Sequence, residues 1–366
     1  MRNLSGVAPI TRLYRGKSVP RGAHGRLRAY PIGGRLTVAL VVLGLLAAAC
    51  GSGTDHATTN ALGALGVQPA PTTTAPAGPS TTVPSCADPT ASLAPQGALP
   101  AAGHMPAGSF MATIQAQGYL KVGVDQTTLL FGYLNPADGQ IEGFDIDMLR
   151  QVAKAIFGDD GQNENTRIRF TAITSAERIP FVQSGQVDIV ADTMTINCQR
   201  DQQVDFSSVY YDAGQRILVP ETSSITSSAQ LGGKRVCAAS GSTSIANVVD
   251  TNVTHATSPA VPVSVNNWTD CLVALQNGTV DAISTDDTIL AGLAAQDPLA
   301  KVVGAKFTDE PYGMAISKSH PDFVRFVNGV LAQERSDGTW AAIWSNWLAK
   351  VYGSTPPAPP AATYSG

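Results

Sequence analysis

The chain has 366 residues, of which 43% are hydrophobic and 6% aromatic, enough to bury two small domains rather than one. Its formal charge of −4 hides an asymmetry. Residues 1–49 carry eight basic side chains and no acidic one, which leaves 16 basic against 28 acidic residues in the rest, a formal charge of −12. So acidic a body excludes nucleic acid as a partner, because phosphate needs a basic footprint, and it leaves capture of any anion to a few local arginines.

The basic stretch (Arg2, Arg12, Arg15, Lys17, Arg21, Arg26, Arg28, Arg35) leads into an apolar run from Leu36 to Ala49. That run has the length of a signal-peptide core and is short for a membrane span. Ala47, Ala48 and Ala49 precede Cys50, and Gly51-Ser52-Gly53 follow, which resembles a bacterial lipobox. The expectation is a lipoprotein signal peptide over 1–49, with Cys50 lipidated at the outer face of the cell membrane. A plain secretory signal with a chance cysteine is the alternative. Residues 50–108 are rich in Pro, Thr, Ala, Gly and Ser and offer little apolar surface to offset ordering entropy, so they read as a disordered tether. The tail 351–366, with Pro356-Pro357-Ala358-Pro359-Pro360, reads as disordered too.

Between them, short β-like runs alternate with helical ones. Strands are expected at 120–124, 168–173, 187–190, 216–219, 235–238 and 280–283. Phe144, Met148, Leu149, Val152 and Ile156 share one helical face. A helix opened by Ser175 carries Pro180 near its first turn. Further helices are expected at 271–275, at 289–293 and continuously from Phe323 to Trp347. This rhythm predicts an α/β fold with parallel-type sheets covered by helices. Beside Cys50 there are four cysteines, Cys86, Cys198, Cys237 and Cys271. An even number outside the cytoplasm suggests two disulfides, with three pairings open. No zinc spacing occurs and the five histidines are scattered.

Several motifs in order carry a resemblance. Gly143-Phe-Asp-Ile-Asp147 stands before a helix. Gly185-Gln-Val-Asp-Ile-Val190 is followed by Thr193-Met-Thr-Ile-Asn-Cys-Gln-Arg200 and Val204-Asp-Phe-Ser-Ser-Val-Tyr-Tyr211. Ser240-Gly-Ser-Thr243 and Ala274-Leu-Gln-Asn-Gly-Thr-Val-Asp-Ala282 come later. Together they resemble the family-3 polar amino-acid-binding proteins of ABC transporters, with a particular likeness to actinobacterial GlnH-type lipoproteins. The resemblance implies a two-lobe periplasmic-binding-protein (venus-flytrap) fold with two hinge strands. Lobe 1 would span 109–212 plus 312–350, and lobe 2 would span 213–311. With 237 and 271 in one lobe, the favoured pairing is Cys237–Cys271 with Cys86–Cys198.

An amino acid offers a carboxylate, an ammonium and a side chain. A guanidinium meets a carboxylate with two parallel N–H bonds, and the resemblance gives that role to Arg200, against surface pairing with Asp201 or Asp205. Asp286 matches the ammonium-binding aspartate, with Asp287 as its adjacent rival. Thr193 and Thr195 match positions that touch the head group; turn chemistry is their plainer role. Ser242 and Thr243 precede a helix whose positive end suits a carboxylate or the ligand side chain, or they simply cap it. Arg178 resembles the arginine that meets the side-chain carboxylate in glutamate and aspartate binders, against pairing with Glu177. Asp125 resembles the aspartate that meets the amide in glutamine binders. Phe131 would wall the pocket or pack in the core. The implied ligand is glutamate, aspartate, glutamine or asparagine. The implied partner is an ABC permease or a transmembrane sensor. No cofactor, metal or stable oligomer is implied. Cyclohexadienyl dehydratases share this fold, but a catalytic reading has only Glu177 or Asp125 as acid or base, so no enzyme is expected.

Overall fold

The computed structural model describes residues 86–159 and 165–365. The expected signal peptide, Cys50 and residues 50–85 of the expected tether lie outside them.

Two five-stranded sheets organise the chain. The first runs in the order Ile168–Ala172, Leu120–Val124, Ile189–Val190, Ala315–Ile316, Asp205–Phe206. Its first three strands are parallel and Ala315–Ile316 is antiparallel to both neighbours. The second runs Val261–Val265, Arg235–Ala239, Ala282–Asp286, Gln215–Pro220, Ala300–Val303, again with a parallel half and an antiparallel half. Tyr211–Ala213 and Glu310–Tyr312 form an antiparallel pair outside both sheets, where the chain passes from one sheet to the other and back. The result is a two-lobe α/β fold joined by two hinge strands.

Each sheet is covered by amphipathic helices. Helix Phe144–Phe157 buries Phe144, Met148, Leu149, Val152 and Ile156, the face read from the sequence, and adds Ile146 and Ala153. At roughly 1.5–3 kcal/mol for each large apolar side chain removed from water, this helix is a main contributor to the first lobe. In the second lobe Trp268–Gln276 and Asp287–Gln296 bury Trp268, Leu272, Leu275, Leu290 and Leu293. Cys237 and Cys271 join strand to helix there, and Cys86 joins Cys198.

Four expectations change. The long C-terminal helix is two, Pro321–Asp337 and Thr339–Tyr352, because Gly338 between them takes φ 84°, open to glycine without strain. Ser175 opens no helix. The helix is Arg178–Gln183, and Glu177 folds back to accept from the Thr174 amide (2.8 Å) and hydroxyl (2.9 Å). The described part of the expected tether and the C-terminal tail are ordered together. Ala91–Leu93 pairs in parallel with Thr363–Ser365. Side chains replace the missing apolar surface there: Asn328 Nδ2 donates to Ser92 Oγ and the Leu93 carbonyl, Arg325 donates to the Ala94 carbonyl, and Arg335 to the Pro360 carbonyl.

Candidate functional site

In open α/β sheets, ligands meet the carboxyl ends of the strands. Here those ends face each other across the hinge. The Ile189–Val190 strand delivers Asp192, Thr193 and Thr195. Arg235–Ala239 delivers the turn through Gly241 and Ser242, and Ala282–Asp286 ends on Asp286 itself. A small polar cavity lies between them, with free space of only about 10 Å³. That is room for about one water, so the lobes stand closed on each other and have to part to admit a small metabolite.

Two arginines enter from the first lobe. Arg200 sits in the four-residue helix Cys198–Asp201, whose cap Asn197 accepts from the Arg200 amide at 2.9 Å. Its guanidinium donates to the Thr195 carbonyl (2.7 Å) and, across the cleft, to the Gly241 carbonyl (3.2 Å). It is buried. That burial, with Arg178 beside it, pulls its pKa down to about 9. Neither Asp201 nor Asp205 pairs with it. Arg178 donates to the Ser175 and Asp192 carbonyls (3.0 and 2.9 Å) and reaches the Gly241 carbonyl at 3.4 Å. Glu177 is engaged with Thr174 instead, so Arg178 belongs to the cavity. Gly241 makes this approach possible. Its φ is +78°, and a Cβ there would lie 2.6 Å from the Ala176 backbone of the other lobe.

The acceptors lie opposite. Asp286 is 3% exposed; its Oδ2 accepts from the Tyr312 hydroxyl at 2.6 Å, while Oδ1 has no hydrogen-bond partner among the described residues. Burial, reinforced by Glu310, pushes its pKa up to about 8. Asp287 is not a competitor, since it accepts from the Gly214 amide (3.1 Å) and pairs with Lys306 (3.3 Å) at the hinge. Thr193 holds φ 42°, a costly backbone for a β-branched residue. Its amide donates to Asp145 Oδ2 at 2.8 Å, which fixes that conformation at the cavity edge. Ser242 caps the Thr243–Asn247 helix, and its hydroxyl also donates to the Ala239 carbonyl. Trp268 and Ile289 supply the apolar wall.

Seven of the nine expected ligand residues, Arg178, Thr193, Thr195, Arg200, Ser242, Thr243 and Asp286, line this one cavity. Two do not. Asp125 is folded into its own turn, accepting from the Thr127 amide (2.6 Å), Thr127 hydroxyl (2.8 Å) and Thr128 hydroxyl (2.5 Å). The local sequence Asp125-Gln-Thr-Thr128 supplies those donors. Phe131 is fully buried in an aromatic cluster with Phe144, Tyr211 and Tyr312, at centroid distances of 5.2 to 6.0 Å, and is core rather than wall. Two carboxylates were missed. Asp192 is 2% exposed with neither oxygen hydrogen-bonded among the described residues, and its pKa is raised by burial against the pull of Arg178. Glu310 bridges the cleft from the hinge. Only the position of Asp192 beside Thr193 hinted at the first; nothing in local spacing marked the second.

Two hinged α/β lobes with arginines on one side of a polar cavity between them and a carboxylate on the other define a substrate-binding protein. The chain belongs to the bacterial extracellular solute-binding proteins, family 3, whose model matches residues 120–350. It is 38% identical over 239 residues to the ABC transporter glutamine-binding protein GlnH of Bacillus subtilis strain 168, covering 65% of this chain and 84% of the relative. It is 32% identical over 240 residues to the glutamate-binding protein GluB of Corynebacterium glutamicum, covering 63% and 78%. An ancestral arginine-binding protein bound to glutamine superposes with a TM-score of 0.56 at 33% identity, covering 63% of this chain and 98% of that one. A solute receptor for L-cysteine from Neisseria gonorrhoeae gives 0.61 at 26% identity, covering 66% and 95%. No helix among the described residues is long and apolar enough to cross a membrane.

Proposed function

We propose that this protein captures one polar amino acid, from the set glutamine, glutamate, asparagine and aspartate, between its lobes, and that it binds rather than transforms it. The observation that carries this is that the Arg200 guanidinium and the unpartnered Oδ1 of Asp286 line the same small cavity. Arg200 takes the α-carboxylate and Asp286 the α-ammonium. Arg178, the second cavity guanidinium, takes the oxygen of a side-chain carboxylate or amide. The names of the similar glutamine- and glutamate-binding proteins support the same set. In this reading Cys50 carries a lipid that holds the protein at the outer face of the membrane, and an ABC permease or a membrane sensor receives the closed form.

The test is a melting-temperature panel of the twenty amino acids on protein lacking the first 85 residues. At a hundredfold excess over Kd a true ligand adds about 2.7 kcal/mol, which moves the midpoint by several degrees. Arg200→Ala abolishes the shift for every ligand, and Arg178→Ala weakens acids more than amides. A folded protein that responds to none of the twenty ends the proposal.

A further inference from the structure

We propose that Glu310 is an interlobe latch, a hinge carboxylate that holds the two lobes together through the side chains at the base of the cleft and thereby sets the affinity of the site. Where it concerns affinity this rests on the amino-acid-binding reading; where it concerns closure it does not.

Glu310 opens the second hinge strand, Glu310–Tyr312, and is 3% exposed. An ionised carboxylate only accepts hydrogen bonds, so burial demands donors. Glu310 receives four. Oε2 accepts from the Thr195 hydroxyl at 2.6 Å and the Thr243 hydroxyl at 2.9 Å. Oε1 accepts from the Thr308 hydroxyl at 2.7 Å and Asn247 Nδ2 at 3.2 Å. These donors come from three different places. Thr195 belongs to the first lobe, Thr243 and Asn247 to a helix of the second, and Thr308 to the segment entering the hinge.

Opening the cleft separates Thr195 from Thr243 and Asn247. One carboxylate cannot follow both lobes, so part of this set exists only in the closed form. Interactions present in one state alone are what shift a two-state equilibrium. The same bonds orient the site. Each threonine hydroxyl has one proton and gives it to Glu310, so what it offers the cavity is a lone pair, suited to an ammonium or amide N–H. Glu310 also acts on the charges beyond it, raising the proton affinity of both Arg200 and Asp286.

The experiment uses the full chain with fluorophores on azide-bearing residues at exposed positions 154 and 299, one in each lobe. Interlobe distance distributions are read by energy transfer without amino acid, and affinity by calorimetry with L-glutamine. Glu310→Ala is expected to move the distribution to longer distances, with Glu310→Gln between it and wild type, and to weaken binding by about tenfold or more, the consequence of losing charge-assisted hydrogen bonds made only on closure. A Glu310→Ala protein that is folded by circular dichroism and has the wild-type distribution overturns the latch. Should Glu310→Ala fail to fold, the double variant Thr243→Val with Asn247→Ala removes the second-lobe donors and decides by the same distance criterion. If wild type binds none of the twenty amino acids, the functional reading falls while the distance measurement still decides the latch.

Discussion

Asp286 holds one oxygen on Tyr312 and leaves the other unpartnered among the described residues, buried beside Glu310. With its pKa pushed up to about 8, it is protonated at neutral pH until a cation arrives. An amino-acid ammonium at Oδ1 reverses that preference, so binding expels the proton. Calorimetry at pH 6.5 in buffers of different ionisation enthalpy should return a slope near one proton released per ligand. Asp286→Asn should remove the release and weaken binding by about 10- to 100-fold, the scale of one charge-assisted hydrogen bond. A zero slope for wild type would rule out the protonated carboxyl. Arg200, Asp286, Thr193 and Thr195 were readable in the sequence because each occupies a fixed place in an ordered motif. Asp125 occupies such a place as well, yet Thr127 and Thr128 capture its carboxylate. Glu310 was unreadable for a different reason. Its partners Thr195 and Thr243 lie 115 and 67 residues away, and only the meeting of two lobes brings them together.

The elements that shape the cleft are short, and their ends decide more than their middles. Strand Arg235–Ala239 runs into Ser240, Gly241 and Ser242, where both arginine forks converge on one carbonyl. A methyl group at 241 meets the Ala176 backbone of the opposite lobe, and the left-handed φ adds strain of about 1 kcal/mol. Gly241→Ala should therefore cost far more in binding than in folding. The expected result is a midpoint within a few degrees of wild type, alongside amino-acid affinity reduced by more than tenfold. Equal losses in both would place the effect in the lobe itself. Hydrophobic periodicity located six of the ten strands of the two main sheets and the large covering helices, since it reports which face is buried, and it passed over Asp205–Phe206, Ala315–Ile316, Val261–Val265, Ala300–Val303 and the helix Phe110–Gln117. It misjudged Gly338, because Val324, Val327, Val330 and Leu331 before it and Ile343 and Leu348 after it are all buried, and apolar spacing alone does not register a change of axis. It passed over the strands Ala91–Leu93 and Thr363–Ser365, which are held by Asn328, Arg335 and backbone pairing rather than by an apolar face.

At the scale of the whole molecule, buried carboxyls set the response to pH. Asp145 in the first lobe is pushed up to about 7, and Asp286 in the second and Glu334 in helix Pro321–Asp337 to about 8, each chiefly by burial. In the unfolded chain all three titrate near the ordinary value of about 4. Between those limits the folded protein holds protons that the unfolded chain has lost, so stability is fully present below about pH 4 and declines as pH rises through 7 to 8. The carboxyls with lowered pKa, Asp88, Asp281 and Asp337, act in the opposite sense, but only at the acid end and at the surface. The melting temperature without amino acid should therefore fall from pH 5 to pH 8.5, each such carboxyl contributing up to about 1.4 kcal/mol per pH unit until its folded-state pKa is passed. Glu334→Gln, far from the cleft, should flatten the decline by one group. A saturating amino acid should flatten it by another, because Asp286 is then ionised and paired at every pH. A wild-type profile that is level from pH 5 to 8.5 would mean that these three carboxyls and Asp192, which burial raises in the same direction, are ionised in the folded protein, and would require donors for Asp286 Oδ1 and for both oxygens of Glu334 and of Asp192.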